Sequence, residues 1–118
     1  HKNRIIGKPE NKKDAMKQLT LLSNSMHTVY TAVHLLNKNL KINQSIIDST
    51  YVTFNELNDK DILYYIDNFK PYDKAGSYGI QDWSSVFVKK INGCFYNVVG
   101  FPLPKFYKLL YKILLKNK

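Results

Sequence analysis

Two long stretches of alternating polarity constrain the fold of this chain more than any other feature. From Met26 to Leu36, one side carries His27, Val29, Thr31, Val33 and Leu35, and the other carries Met26, Thr28, Tyr30, Ala32, His34 and Leu36. After the turn-forming Asn37-Lys38-Asn39, a second stretch runs from Leu40 to Phe54 and ends in a clean alternation at Thr50, Val52 and Phe54. Strand side chains point to alternate faces, and β-branched residues suit that pleated surface. The pair is therefore expected to form an antiparallel hairpin. Its apolar face needs a cover, and helices are the natural one.

The helical patterns are local and well punctuated. Asn11 with Asp14 three residues on resembles a capping box, and Ala15, Leu19 and Leu22 follow at helical spacing, with Met16 read as core and Lys12, Lys13 and Lys17 as the wet face. Asn58 with Asp61 opens a second helix, striped by Ile62, Ile66 and Phe69 and stopped by Pro71, with Tyr64 and Tyr65 expected as half-buried packing residues. Pro104 suits the first position of a last helix, whose apolar positions are Phe106, Leu109, Leu110, Ile113 and Leu114. Lys105, Lys108, Lys112, Lys116 and Lys118 surround it. That spacing fits a membrane-surface helix, but a helix packed on a sheet with a basic outer face is preferred. Residues 1–9 are expected to end a strand or hairpin at Ile5-Ile6, broken by Gly7-Lys8-Pro9. Val86-Phe87-Val88 and Ile91 read as a strand, Asn92-Gly93 as a hairpin turn, and Cys94 to Val99 as its partner strand. The expected order is β-α-β-β-α-β-β-α. This is an α/β class fold, with a twisted mixed sheet, largely antiparallel within the chain, and about three flanking helices. At 118 residues it fits one domain.

The net charge of +9, from 18 Lys and Arg against 9 Asp and Glu, favours a polyanionic partner: a nucleotide, nucleic acid or an anionic membrane surface. One cysteine, Cys94, excludes an internal disulfide. No apolar run is long enough to span a bilayer. The chain opens without Met and without a signal pattern, so a processed or truncated chain is expected.

No nucleophile elbow, P-loop, dinucleotide fingerprint or zinc pattern is present. His27 has no partner at metal-ligand spacing and reads as a hydrogen-bonded structural histidine. No general base is evident. Two features remain. Lys8, held between Gly7 and Pro9 before a helix, could place an ammonium beside a bound anion, or be a surface lysine in a turn. Asp73 to Gln81 combines two glycines with an acid, a base, a phenol and an amide, and reads either as a surface turn or as a ligand-facing loop.

Four blocks in register resemble the Maf family of nucleotide pyrophosphatases. They are Gly7-Lys8-Pro9 with the helix near Asp14-Ala15; Leu22-Ser23 with His27 to Val33; Pro71 to Gln81; and Phe87-Val88, Ile91-Asn92-Gly93 and Tyr96 to Leu103. The resemblance implies a Maf and inosine-triphosphatase-like fold with a deep cleft between two lobes. It implies a cytoplasmic hydrolase that converts nucleoside triphosphates to monophosphate and diphosphate with a divalent metal cation, Mg or Mn. Lys8 matches the family's phosphate-side lysine, and Gln81 the glutamine that helps set base preference. Tyr78-Gly79-Ile80-Gln81 looks like the branch acting on dTTP, UTP and related non-standard pyrimidine nucleotides. Asp73, Lys74, Tyr78, His27 and Thr31 are expected to contact substrate or brace the loop. The expected partner is a nucleoside triphosphate, not a membrane or nucleic acid, and a homodimer is left open.

The departures matter as well. The family's Ser-rich motif ending in Arg-Arg, its following Glu and Lys, and the Gly-Ala-Asp-Thr segment that supplies the Asp base do not occur here. Residues 1–118 are therefore expected to be the C-terminal portion of a Maf-like domain lacking its N-terminal strands, either a fragment or the product of a shortened gene. No catalytic residue is assigned within them; the general base is expected upstream of residue 1, and the chain alone is expected to be inactive. Asp82-Trp83 replaces a small glycine-rich loop, which bears on the shape of the base pocket. Two other readings stay open: a basic nucleic-acid-binding module, and a nucleotide-binding remnant without catalysis.

Overall fold

The computed structural model describes residues 1–116. Its elements run α1 (Lys12–Leu22), β1 (Met26–Asn37), β2 (Ile42–Phe54), α2 (Asp59–Phe69), three short 3-10 turns (Pro71–Asp73, Ala75–Ser77 and Trp83–Phe87), β3 (Val88–Asn92), α3 (Phe95–Val99) and α4 (Leu103–Lys116). The described sheet has the order β1-β2-β3. The four-residue connection Lys38–Lys41 turns β1 back into β2, and β3 pairs antiparallel with the end of β2, Tyr51 opposite Asn92 and Val52 opposite Ile91.

Two compact units share the chain. One comprises His1–Thr28 and Tyr51–Asn92; the other comprises Val29–Thr50 and the segment from Gly93 onward. In the first, α1 buries the stripe expected of it, Ala15, Leu19 and Leu22, while α2 buries Ile62 and Ile66 as expected but Tyr65 in place of Phe69, which is 40% exposed. Val52, Phe54, Tyr78, Ile80 and Phe87 add to that core. Each helix starts as its sequence dictates, with the Asn11 side chain accepting from the Asp14 N–H at 2.8 Å and that of Asn58 from the Asp61 N–H at 2.7 Å. Tyr64 is more exposed than expected, while Tyr65 is fully buried.

In the second unit a buried polar cluster takes the place of an expected strand. Asn97 is buried, and its side-chain amide donates to the Val29 carbonyl at 3.1 Å and to Thr50 Oγ1 at 2.9 Å. The Thr50 hydroxyl also donates to the Cys94 carbonyl at 3.2 Å. Only a helical turn over Phe95–Val99 presents Asn97 this way while Gly100 N–H closes on Tyr96 and Asn97 carbonyls. Cys94 to Val99 is therefore α3, not a returning strand. The Asn92-Gly93 hairpin is corrected with it. A mirror-image turn needs φ > 0 at both central residues, but only Gly93 has it, at +134°.

Gly93 is obligatory on a second count. A Cβ there would lie 2.9 Å from the Thr50 side chain and 3.0 Å from its Cα. Gly93→Ala is expected to destabilise the protein by about 1–3 kcal/mol, read as a lower urea midpoint; an unchanged midpoint would contradict this placement.

Two further expectations are corrected. Residues 1–9 form no strand. Ile5 is fully exposed, and the segment is held instead by the Gly7 carbonyl, which accepts from Gln18 Nε2 and the Gly76 N–H, and by a hydrogen bond between His1 Nε2 and Ser25 Oγ. Val86 and Phe87 lie in a 3-10 turn, and the strand starts only at Val88. In α4, Phe106, Leu109, Leu110 and Ile113 are half-buried, Leu114 is exposed, and no residue is fully buried. Lys105 ties α4 to β2, donating to the Ile47 carbonyl at 3.0 Å and approaching the Asp48 carboxylate at 3.5 Å. Lys118, counted above on its basic face, lies outside the described residues.

Candidate functional site

Lys8 and the Asp73–Gln81 loop are about seventy residues apart in sequence, and the fold of the first unit joins them. The Gly7 carbonyl accepts from the Gly76 N–H at 3.1 Å and from Gln18 Nε2 at 3.1 Å. The other end of the Gln18 amide accepts from the Ser77 hydroxyl. One glutamine on α1 thus clamps both segments, and Pro9, buried beside them, fixes the direction in which Lys8 leaves. Lys8 is exposed and makes no hydrogen bond or ion pair to a described residue. Its charge reaches Asp73, which is held below the usual carboxylate range first by the hydrogen bond from Lys74 and then, among smaller effects, by Lys8. Lys74 Nζ lies 3.1 Å from Asp73 Oδ1. Lys8, Asp73 and Lys74 therefore share one exposed surface with a net positive charge.

The second half of the loop is rigid. Lys74 lies across Gly79 so closely that a Cβ there would come within 2.6 Å of its Cε. Gly79 N–H donates to Tyr65 Oη at 3.3 Å, and the Gly79 carbonyl accepts from Ser84 Oγ at 2.7 Å and from the Asp82 N–H at 3.1 Å. Asp82 caps the next turn, accepting from the Ser84 N–H at 2.9 Å, and its other oxygen accepts from Tyr65 Oη at 2.9 Å. Burial, and next to it the Asp82 carboxylate, push the Tyr65 hydroxyl up to about 12 despite opposing hydrogen bonds, so it remains a donor. Trp83 packs among Tyr64, Tyr65, Phe69 and Phe87 at ring separations of 4.9–6.4 Å. Between these anchors Gln81 is exposed, and its amide bonds to no described residue.

The remaining candidates brace. His27 is 7% exposed; its Nε2 lies 2.6 Å from the Tyr78 hydroxyl, and its ring meets Phe54 and Tyr78 edge-on. Burial, helped by the N-terminal charge, lowers the His27 pKa to about 4. Burial also raises that of Tyr78. Neither ring faces solvent. Thr31 belongs to the other unit, where its hydroxyl donates to the Asn97 carbonyl at 3.2 Å. Sequence reasoning missed Gln18, Tyr65 and Ser84 among the residues that shape this surface, and gave Asp82 no bracing role. Asp82 preceding Trp83 and Ser84 does carry a helix-capping signal, and that alone could have been found.

A divalent metal finds no ligand set here. Among the described residues, no three His, Cys, Asp or Glu side chains converge to hold an ion. Asp73, which the Lys8 charge reaches, is engaged with Lys74.

Comparison with known proteins agrees with the block pattern. A dTTP/UTP pyrophosphatase of Flavobacterium johnsoniae is 45% identical over 114 residues, covering 93% of this chain and 56% of that protein. Proteins of the same name are 47% identical over 113 residues in Clostridium beijerinckii and 46% identical over 108 residues in Thermotoga maritima, covering 94% and 92% of this chain. The chain spans between 52% and 59% of the length of these relatives. The family model described as Maf-like protein matches residues 2–113, and the chain belongs to that family.

Proposed function

We propose that this chain supplies the substrate-recognition part of a nucleoside triphosphate pyrophosphatase that converts dTTP and UTP to the monophosphate and diphosphate. The observation that supports it is the joining of Lys8 to the Gln81 loop through the Gly7–Gly76 hydrogen bond. A cationic patch and a free amide then belong to segments that this bond holds together. An amide donates and accepts at once, which suits the carbonyl and imide edge that uracil and thymine share. Cytosine presents an amino donor and an unprotonated ring nitrogen there, and so fits a different pattern. Lys8 and Lys74 would offset charge on the phosphates and on the departing diphosphate, with Asp73 holding Lys74 in place.

The groups that activate water are proposed to lie outside residues 1–116, since the Asp73 carboxylate is engaged by Lys74 and the Gly-Ala-Asp-Thr segment that the resemblance assigns to the base does not occur among them. A cytoplasmic location is part of the proposal, because the nucleotides it would act on are there. The test is diphosphate release from dTTP. The 118-residue chain is expected to release little. Joined to the unmatched part of the Flavobacterium johnsoniae relative, it is expected to release diphosphate, and Lys8→Ala is expected to suppress that release. Robust release by the chain alone would show that the water-activating groups lie within it. A folded but inactive hybrid would count against the proposed activity.

A further inference from the structure

The His27–Tyr78 pair has more polarity than packing requires. His27 Nδ1 is buried with no partner, so the single hydrogen bond of this ring goes to Tyr78. Leucine or phenylalanine would fill the same space against Phe54 without leaving a buried nitrogen unpaired, and replacing both members of a buried polar pair by apolar groups is often neutral. What an apolar pair would lose is direction. Tyr78 is 8% exposed and its ring also meets Phe54 edge-on at 4.8 Å, so the hydroxyl contact to His27 is what sets how far the ring enters the core. Tyr78 lies three residues before the exposed Gln81, with the buried Ile80 between them.

We infer that His27 is a positioning residue for base recognition, holding the Gln81 loop from β1 through the hydroxyl of Tyr78. The inference rests on the nucleotide role proposed for Gln81. Three anchors then enclose that residue. Tyr78 is fixed to β1 by His27, Gly79 to α2 by Tyr65, and Asp82 to both Tyr65 and Ser84. The last two fix the far side of the loop; at its entry the backbone is held at Gly76 and Ser77, and the His27 bond fixes the Tyr78 ring. A base edge is read by a hydrogen-bonding pattern, so a small displacement of the Gln81 amide should erode discrimination before it erodes binding. Nothing in this arrangement requires His27 to touch the nucleotide.

The test measures dissociation constants for dTTP and dCTP on the full chain by calorimetric titration, with thermal stability followed separately. Tyr78→Phe keeps the ring and removes only the hydroxyl. It is expected to reduce the preference for dTTP about three- to tenfold, the worth of one neutral hydrogen bond. His27→Leu should do the same, and the double variant should do no more than either single one. His27→Gln can still bond the hydroxyl and should restore most of the preference. Gln81→Ala separates the two ways of being wrong. If it abolishes the preference while Tyr78→Phe and His27→Leu retain it in full, His27 is merely structural and the inference is overturned, whatever the melting temperatures. If the preference is absent in the wild type, or survives Gln81→Ala, the nucleotide reading of Gln81 falls and the inference with it.

Discussion

Replacing Lys8 by alanine is expected to weaken dTTP binding about tenfold to a hundredfold while leaving thermal stability essentially unchanged. A hydrogen bond to a charged group contributes about 1.5–3 kcal/mol, which converts to that range of affinity. The fold should not notice the loss. Lys8 is exposed, and its segment is held by the Gly7 carbonyl and by buried Pro9, not by the lysine side chain. The effect should shrink as salt rises, because the ammonium sits at a wetted surface. It should also be much smaller for dTMP than for dTTP, since Lys8 is assigned to the phosphates beyond the first. Equal losses for the two nucleotides, or a large drop in melting temperature, would contradict the assignment.

The second large effect is an acid instability centred on His27. Its folded-state pKa of about 4 lies below the ordinary 6.5. Between those values the unfolded chain binds the proton and the folded chain does not. Stability therefore falls as pH drops from 6.5 towards 4, and below 4 the loss is complete. The size of the shift corresponds to roughly 3 kcal/mol. Asp73, with its carboxyl held low by Lys74, acts in the same direction at still lower pH, but it is exposed and adds little. His27→Gln removes the titration, so urea midpoints measured at pH 7, 5.5 and 4 should fall less steeply than in the wild type. Parallel curves for the two proteins would show that His27 is not the group responsible.

What could be read in advance was local or strictly periodic. The caps at Asn11 and Asn58 and the stripes behind them are settled within a few residues, and α1 and α2 lie where they were expected. The alternation in β1 puts His27, Val29, Thr31, Val33 and Leu35 on one side, and in the structure that side is the more buried. The failures share one cause, which is that distant contacts overrode local pattern. Cys94 to Val99 alternates like a strand, yet Asn97 is buried by bonding Val29 and Thr50, far away in sequence. Ile5-Ile6 looks like a strand end but pairs with no strand among the described residues. In the candidate site, the loop's composition was legible and its bracing was not. Asp82 and Trp83, expected only to disturb a small loop, instead lock it against Tyr65 and Phe87. The Gln18 clamp could not be foreseen, because nothing near Gln18 in sequence shows what its two ends will meet.

The central claim is that Lys8 and Gln81 lie on one surface that takes a pyrimidine nucleoside triphosphate. The chain carries its own reporter, since its single tryptophan, Trp83, lies two residues after Gln81. Titration of the 118-residue chain with dTTP and with dCTP, followed through tryptophan fluorescence excited at the red edge, tests that claim most directly. Saturable binding is predicted, with dTTP favoured and the preference lost in Gln81→Ala. Absence of saturation, or equal binding of both nucleotides that depends only on salt, would contradict the account and return the +9 charge to a general affinity for polyanions.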